Sequence, residues 1–321
     1  MRGDTPVEDE IDTEIVLRED VADGVIRLVL RPYPSGDFPA WQPGAHIDVL
    51  LDDSLVRQYS LCGDHADRSV FEIAVLREPL GRGGSAFVHD KLAEGDRVRI
   101  RGPRNHFQLV EAPEYVFVAG GIGITPLLPM MRQVARSDVP WRLVYGGRSR
   151  SSMAFREELV CWYGDRVSIQ PQDELGLLDL RTEVGSPRAD VAIYCCGPEP
   201  LLLAIERQCQ EWPTGCLHIE RFAPKVQQSV DGPPSFEVEL ARTGRTLTVP
   251  ENRTIVDVLE EAGVDVPVSC MEGTCGTCET AVLDGIPDHR DSILTDAERA
   301  ANDVVFVCVS RSRTSTLRLD R

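Results

Sequence analysis

The stretch Ser269-Cys270-Met271-Glu272-Gly273-Thr274-Cys275-Gly276-Thr277-Cys278 carries three cysteines in the order C-x4-C-x2-C. A fourth follows at Cys308, inside Val307-Cys308-Val309-Ser310. That spacing is the plant-type pattern for a 2Fe–2S cluster, with three thiolates on one tight loop and the fourth on a distant strand. A loop wrapped round a cluster leaves little room for side chains and often needs positive φ, which Gly273 and Gly276 supply at low cost. The competing readings are a structural zinc site or unrelated buried thiols. Zinc sites usually come as two paired C-x2-C knuckles, and only one such pair exists here. A 2Fe–2S centre moves one electron at a time, so the chain upstream must account for the source of electrons.

The chain has 321 residues, enough for two or three domains, and 42% of them are hydrophobic. A net charge of −18 argues against nucleic-acid binding and suits a partner with a basic patch. Residues 235–321 hold sixteen acids against nine arginines and contribute to that total. No apolar run approaches the length of a membrane span. The start, Met1-Arg2-Gly3-Asp4-Thr5-Pro6, leads into acids and not into a secretory hydrophobic region, so a cytoplasmic, membrane-free protein is expected. Outside the quoted pattern stand Cys62, Cys161, Cys195, Cys196, Cys209 and Cys216, expected as free and mostly buried thiols.

From Thr13, short strands follow one another without a long helix: Glu14–Leu17, Gly24–Leu30, Gly44–Leu50 and Phe71–Arg77. This is the pattern of an antiparallel β-barrel. Within it, Arg57-Gln58-Tyr59-Ser60-Leu61 offers a guanidinium for a phosphate, a flat ring face and a hydroxyl. Gly83-Gly84-Ser85 opens a helix over Ala86–Leu92, where free N–H groups and a dipole end suit an anion. An ordinary N-cap at Ser85 would explain the serine but not both glycines.

After a linker at Glu111–Glu114, the buried run Tyr115–Ala119 leads into Gly120-Gly121-Ile122-Gly123-Ile124-Thr125-Pro126 and a helix over Leu127–Arg136. This is not G-x-G-x-x-G, yet it is a glycine-rich strand-to-helix turn of the kind that seats a pyrophosphate. Strands and helices then alternate: Trp141–Tyr145, Phe155–Tyr163, Arg166–Ile169, Asp190–Cys195, Leu201–Trp212 and Leu217–Phe222. Alternation predicts a parallel α/β sheet, with ligands at the carboxyl ends of its strands. Gly120, Arg148 and Cys196 sit at such ends. A proline-rich linker leads to a hairpin (Ser235–Leu240 and Arg245–Val249), a helix over Ile255–Ala262, the cysteine loop and closing strands, an order that suits a β-grasp ferredoxin. The expected division is 1–110 for the barrel, 111–224 for the α/β domain, 225–234 for a linker and 235–321 for the ferredoxin.

On these motifs the whole chain resembles the phthalate dioxygenase reductase family, the class IA reductases of Rieske oxygenase systems. It is also similar to the reductase module of self-sufficient bacterial haem-thiolate monooxygenases, notably over Gly102-Pro103-Arg104-Asn105-His106-Phe107 and from Asp288-His289-Arg290-Asp291 to Asn302. The resemblance implies FMN in the barrel, NADH in the α/β domain and a 2Fe–2S cluster on Cys270, Cys275, Cys278 and Cys308. It assigns Arg57, Tyr59, Ser60 and Leu61, with Gly83, Gly84 and Ser85, to the flavin, and puts Ala74 and Val75 beside its ring. Gly120, Gly121, Gly123, Thr125 and Pro126 match the nucleotide loop. Cys196, Gly197 and Pro198 match the segment near hydride transfer, and Glu220 and Phe222 the flavin-facing residues of the last strand. Ser60, Cys196 and Glu220 are the expected catalytic set. Met271 departs from relatives that often carry Glu there.

The implied order is hydride from NADH to FMN, then single electrons to the cluster and on to a separate terminal oxygenase, of Rieske or haem-thiolate type, from a monomeric reductase. A flavin- and cluster-bearing redox sensor without turnover is the reading from another class; the full path from Gly120 to Cys196 argues against it. Arg148, Ser149 and Arg150 could pair with a 2′-phosphate and favour NADPH, against the family default of NADH. Cys195 should face the opposite side of its strand from Cys196, and Cys62 is read as packing. His46 is read as structural, and His218 and His289 lack ligand spacing.

Overall fold

The computed structural model describes residues 10–52, 55–79, 81–225 and 233–321. Contacts divide the chain into two compact units, one running through Glu220 and one of Arg221–Arg321. Most of the expected 225–234 linker lies outside the described residues, as does most of the acidic N-terminal end. No described helix is long and apolar enough to cross a membrane.

The first unit opens with six antiparallel strands: β1 (Ile11–Ala22), β2 (Val25–Pro32), β3 (His46–Asp52), β4 (Leu55–Ser60), β5 (Phe71–Leu76) and β6 (Arg97–Arg104). Their order is β4-β3-β6-β1-β2-β5. A bridge between Leu61 and Ile73 joins the two ends of that order and closes the barrel. β1 is much longer than the four-residue strand expected, because it serves both β2 and β6. Register shifts at Ile15/Leu17 and Asp20/Ala22 let it curve between them. Ile15, Ile26, Leu28, Leu30, Ile47, Phe71 and Ile100 fill the interior. α1 (Gly84–Lys91) packs Val88 into this core between β5 and β6.

The same unit continues into five parallel strands ordered β11-β10-β7-β8-β9. They are β7 (Tyr115–Gly120), β8 (Trp141–Gly147), β9 (Val167–Pro171), β10 (Ala192–Cys196) and β11 (Leu217–Glu220). Every residue of β7 is buried, as a central parallel strand requires. The helices between strands are α2 (Leu127–Ala135), α3 (Arg156–Tyr163), the short α4 (Gln172–Leu175) and α5 (Leu180–Val184), and α6 (Glu199–Gln208). Two tyrosines hold the connection from the barrel. The Val110 N–H donates to the Tyr194 hydroxyl (2.7 Å), which donates to the Gln108 carbonyl (2.9 Å). The Tyr115 hydroxyl donates to the Val110 carbonyl at 2.8 Å. On another face Arg132 donates to the Cys62 carbonyl (3.0 Å) and Arg136 pairs with Asp64. A shared core running from Val25, Cys62 and Ala74 to Phe117, Met130 and Tyr194 makes barrel and sheet one unit.

The second unit has β12 (Phe236–Leu240), β13 (Arg245–Val249), α7 (Ile255–Glu261), β14 (Glu279–Asp284), β15 (Pro287–Asp288), α8 (Asp296–Ala301), β16 (Val304–Phe306), β17 (Arg311–Ser312) and β18 (Thr316–Leu319). The main sheet is ordered β13-β12-β18-β14-β16, with β12 and β18 parallel. Thr254 and Asp257 form a reciprocal cap on α7, which buries Ile255, Val256 and Leu259 against the sheet. This is the grasp of a helix by a mixed sheet that the element order predicts.

One buried ion pair braces the barrel wall. Arg104 donates to the fully buried Asp48 carboxylate at 2.5 Å, and Gln58 donates to the same oxygen at 2.8 Å. Arg104→Met should strand the Asp48 charge and lower the unfolding free energy by about 3 kcal/mol. Adding Asp48→Leu should recover part of that loss; urea unfolding of the three proteins measures both effects.

Candidate functional site

The residues assigned to a flavin phosphate meet at the start of α1. Arg57 projects from β4 and crosses the helix start so closely that a Cβ on Gly84 would lie 2.4 Å from its Cγ. Its guanidinium donates to the Arg82 carbonyl (2.7 Å) and to the Val56 carbonyl (2.7 Å). α1 begins after Gly83, which is in the left-handed region at φ 85° and, as glycine, has no side chain to cap the first N–H groups. Ser85 is therefore not an N-cap: its hydroxyl accepts from the Glu78 N–H at 3.0 Å. A fixed guanidinium beside uncapped N–H groups suits a phosphate.

The ring-side residues divide by face. Tyr59 packs its ring on the barrel core, and burial raises its phenol to about 12 despite the Arg57 charge. The side chains of Leu61 and Val75 point into the barrel core, so only their backbone can face a ligand. Ala74 faces the nucleotide sheet instead. β11 stops at Glu220, two residues short of the expected end. Phe222 falls in the second unit, 46% exposed, and does not join Glu220 on the strand.

Ser60, Cys196 and Glu220 converge. Cys196 and Glu220 are register partners at the carboxyl ends of β10 and β11. The Glu220 side chain is partly buried and accepts from the Ser60 hydroxyl, while its Oε2 is shielded from solvent and has no hydrogen-bond partner among the described residues. Burial raises Glu220 from 4.5 to about 8, although the Ser60 bond pulls the other way. Burial, with the Glu220 charge beside it, pushes the Cys196 thiol well above its usual range. Both groups are thus neutral near pH 7. Cys195 turns to the opposite face, into the core of Val116, Val118 and Leu202.

Between them and β8 lies the glycine loop. β7 ends at Gly120 and a 3-10 turn over Gly121–Ile124 leads, through Thr125 and Pro126, to α2. The buried Thr125 hydroxyl donates to the Ile122 carbonyl at 3.0 Å. A Cβ on Gly123 would lie 2.3 Å from the Cys196 carbonyl oxygen, and one on Gly197 2.9 Å from the Gly120 Cα. A Cβ on Gly120 would meet Pro198 at 2.6 Å. Backbone thus packs on backbone, which brings the loop's N–H groups beside Cys196.

In the second unit all four predicted thiols are buried and in mutual contact: Cys270 with Cys275 and Cys308, and Cys308 with Cys278. The N–H groups of Glu272 and Thr274 point at the Cys270 sulfur at 3.3 and 3.4 Å, and that of Cys270 at the Cys275 sulfur at 3.5 Å. The N–H groups on Cys270 favour a thiolate there, and its contacts with Cys275 and Cys308 lower its thiol pKa while raising theirs. Gly273 and Gly276 have φ 68° and 77°, as the tight loop demands. Met271 has φ 57° without being glycine and is 42% exposed. Among the described residues no group of three or more His, Cys, Asp or Glu surrounds a single-ion position. Four cysteine thiols gathered in mutual contact are the donor set that would hold a 2Fe–2S cluster.

The cysteine loop is braced by residues that the cysteine spacing does not reveal. The Ser292 N–H donates to the Gly273 carbonyl at 2.9 Å. Arg299 on α8 donates to the carbonyls of His289, Asp291 and Leu294, shaping the loop that carries Ser292. The Thr295 and Glu298 capping box is the local signal for α8.

Between pH 4.5 and about 8, folded Glu220 keeps a proton that the unfolded chain has lost. Its contribution to stability is therefore complete below 4.5 and is lost as pH rises toward 8. Glu220→Gln should flatten the fall in melting temperature over that window; an unchanged slope would show that Glu220 ionises normally.

Residues 117–207 match the family model of the oxidoreductase NAD-binding domain, and residues 238–313 that of the 2Fe-2S iron-sulfur cluster binding domain. Phenoxybenzoate dioxygenase subunit beta of Ectopseudomonas oleovorans is 44% identical over 301 residues, 93% of each chain. The solved structure of phthalate dioxygenase reductase, described as modular for electron transfer from pyridine nucleotides to [2Fe-2S], is 35% identical. It matches with a TM-score of 0.71, over 97% of this chain and 98% of that one. An intact type IV self-sufficient cytochrome P450 monooxygenase is 39% identical with a TM-score of 0.91; the match covers 100% of this chain and 43% of that one. The chain belongs to the phthalate dioxygenase reductase family, the reductase components of oxygenase systems that combine FMN, NADH and a 2Fe–2S cluster.

Proposed function

We propose that this chain passes electrons from NADH, through FMN and then the 2Fe–2S cluster, to a separate Rieske-type oxygenase that attacks aromatic rings or demethylates. The observation that carries the reading is the meeting of Ser60, Cys196 and Glu220 beside the glycine loop, in a chain that also gathers four thiols. When bound, the flavin accepts electrons in a pair and the cluster takes them one at a time. Arg57 and the Gly83-Gly84-Ser85 helix start hold the FMN phosphate. Tyr59, Ser60 and the backbone at Leu61, Ala74 and Val75 line its ring. Gly120, Gly121, Gly123, Thr125 and Pro126, with Gly197 and Pro198, seat the coenzyme pyrophosphate. Cys196 and Glu220 orient the reacting ring and exclude water. Glu220, neutral at pH 7, keeps a proton within the site while Ser60 holds its position. Cys270, Cys275, Cys278 and Cys308 hold the cluster. The protein works as a monomer in the cytoplasm, where its ten cysteines stay reduced.

The match to the self-sufficient P450 over the whole of this chain supports a second reading, a haem-thiolate monooxygenase as acceptor. Stopped-flow mixing of the NADH-reduced protein with a purified Rieske oxygenase and with a P450 separates the two by which acceptor is reduced.

Cys275→Ser should abolish NADH-driven reduction of cytochrome c while NADH–ferricyanide activity at the flavin survives. Loss of both in a folded, FMN-loaded variant would contradict the order of carriers. Arg57→Ala should lose FMN on dialysis; retained FMN would remove Arg57 from the phosphate seat.

A further inference from the structure

The order of the parallel sheet gives a dinucleotide a direction. Cys196 and Glu220 lie at the ends of β10 and β11, on one side of the glycine loop that follows β7. β8 and β9 end on the other side: Gly120 is register partner of Gly146, and Gly147 of Pro171. The pyrophosphate sits in the middle of NAD. With the nicotinamide at β10 and β11, the adenosine ribose falls at the ends of β8 and β9, one to two strand spacings beyond the pyrophosphate at β7, roughly 5–10 Å.

Two charged loops meet there. Arg148, Ser149 and Arg150 follow β8, and Asp173 and Glu174 stand on α4 directly after β9. The loops are tied by the Asp173 N–H, which donates to the Arg148 carbonyl at 3.2 Å. The Ser149 and Ser152 side chains cap each other's backbone and fix the turn. Arg150 is held as a fork by Glu174, with Nε at 2.7 and 2.9 Å from the two carboxylate oxygens and Nη2 at 2.8 Å. Arg156 lies within electrostatic reach of Glu174 and is itself paired with Glu157 at 2.8 Å. The arginines that suggest a 2′-phosphate site are therefore faced by two acids, and one is engaged through both carboxylate oxygens.

We propose that the Arg150–Glu174 pair is the coenzyme selector of this reductase: Glu174 occupies Arg150 and repels a 2′-phosphate, so the adenosine pocket takes NADH over NADPH. The proposal rests on the assignment of the sheet ends to a nicotinamide dinucleotide. A surface ion pair contributes little to folding, and both partners are nearly half exposed, so changing it should leave the fold intact. Its effect lies in what the site admits. A phosphate dianion needs a free guanidinium and no opposed carboxylate.

The test uses the full-length, cofactor-loaded protein with two readouts. Calorimetric titration with 2′,5′-ADP and with 5′-AMP reports the ribose site without turnover, and NADPH and NADH oxidation with ferricyanide report selection. Glu174→Gln should raise affinity for 2′,5′-ADP relative to 5′-AMP by about ten-fold, with a similar rise in the NADPH/NADH ratio of kcat/KM. Glu174→Ala should act in the same direction, and adding Arg150→Ala to Glu174→Gln should erase the gain. Unchanged ratios in a Glu174→Gln protein that still oxidises NADH, or a wild-type preference for NADPH, overturn the proposal. Failure of the FMN-loaded wild type to oxidise either coenzyme overturns the underlying functional reading instead.

Discussion

The Glu220 carboxyl joins the two halves of the first unit. It ends β11, the edge of the parallel sheet, and accepts from Ser60 at the end of β4 in the barrel. Shielding one carboxylate oxygen from water without a countercharge disfavours the ionised form, so the group holds its proton to a higher pH. That constraint sets what surrounds it. Cys196, its register partner, is also buried and neutral, and the glycine loop closes on the Cys196 backbone. The meeting point of barrel and sheet therefore gathers a buried thiol and a carboxyl that both resist ionisation.

Elements with a strong local signature were legible in the sequence. The cysteine spacing, the buried run of β7 and the glycine turn after it all declare themselves within ten residues. The Cys195/Cys196 division follows from strand alternation alone. Contacts across long separations were not legible. Nothing near Arg57 signals that its side chain lies on Gly84, and nothing near Ser60 points to Glu220. Ser85 illustrates the competition: the chain starts α1 two residues earlier than expected, from a left-handed Gly83, and frees the serine to bond Glu78. The short helices α4, α5 and α8 escape because four to six residues carry too little periodicity. The last strand stops two residues before its expected end at Phe222, because β11 ends at the last residue with a partner on β10.

In the second unit, spacing predicts which thiols gather and says little about what keeps them in place. The loop is pinned from outside by Ser292 on the Gly273 carbonyl, behind which Arg299 ties three carbonyls together. Gly273 admits no side chain, as a Cβ would lie 2.7 Å from Val309 and 3.0 Å from the Asp291 backbone. Met271 holds a backbone conformation that usually costs a non-glycine residue about 1 kcal/mol or more, and it exposes its thioether next to a ligand.

The packing of Gly120, Gly123 and Gly197 gives the two ends of the proposed coenzyme cleft different tolerance of substitution. Where chain touches chain, any side chain is excluded and drift is closed off. The adenosine end is made of exposed side chains on surface loops, which tolerate exchange one residue at a time. A gene copy can therefore be rewired to a different cellular pool of reducing power without touching the atoms that receive the hydride.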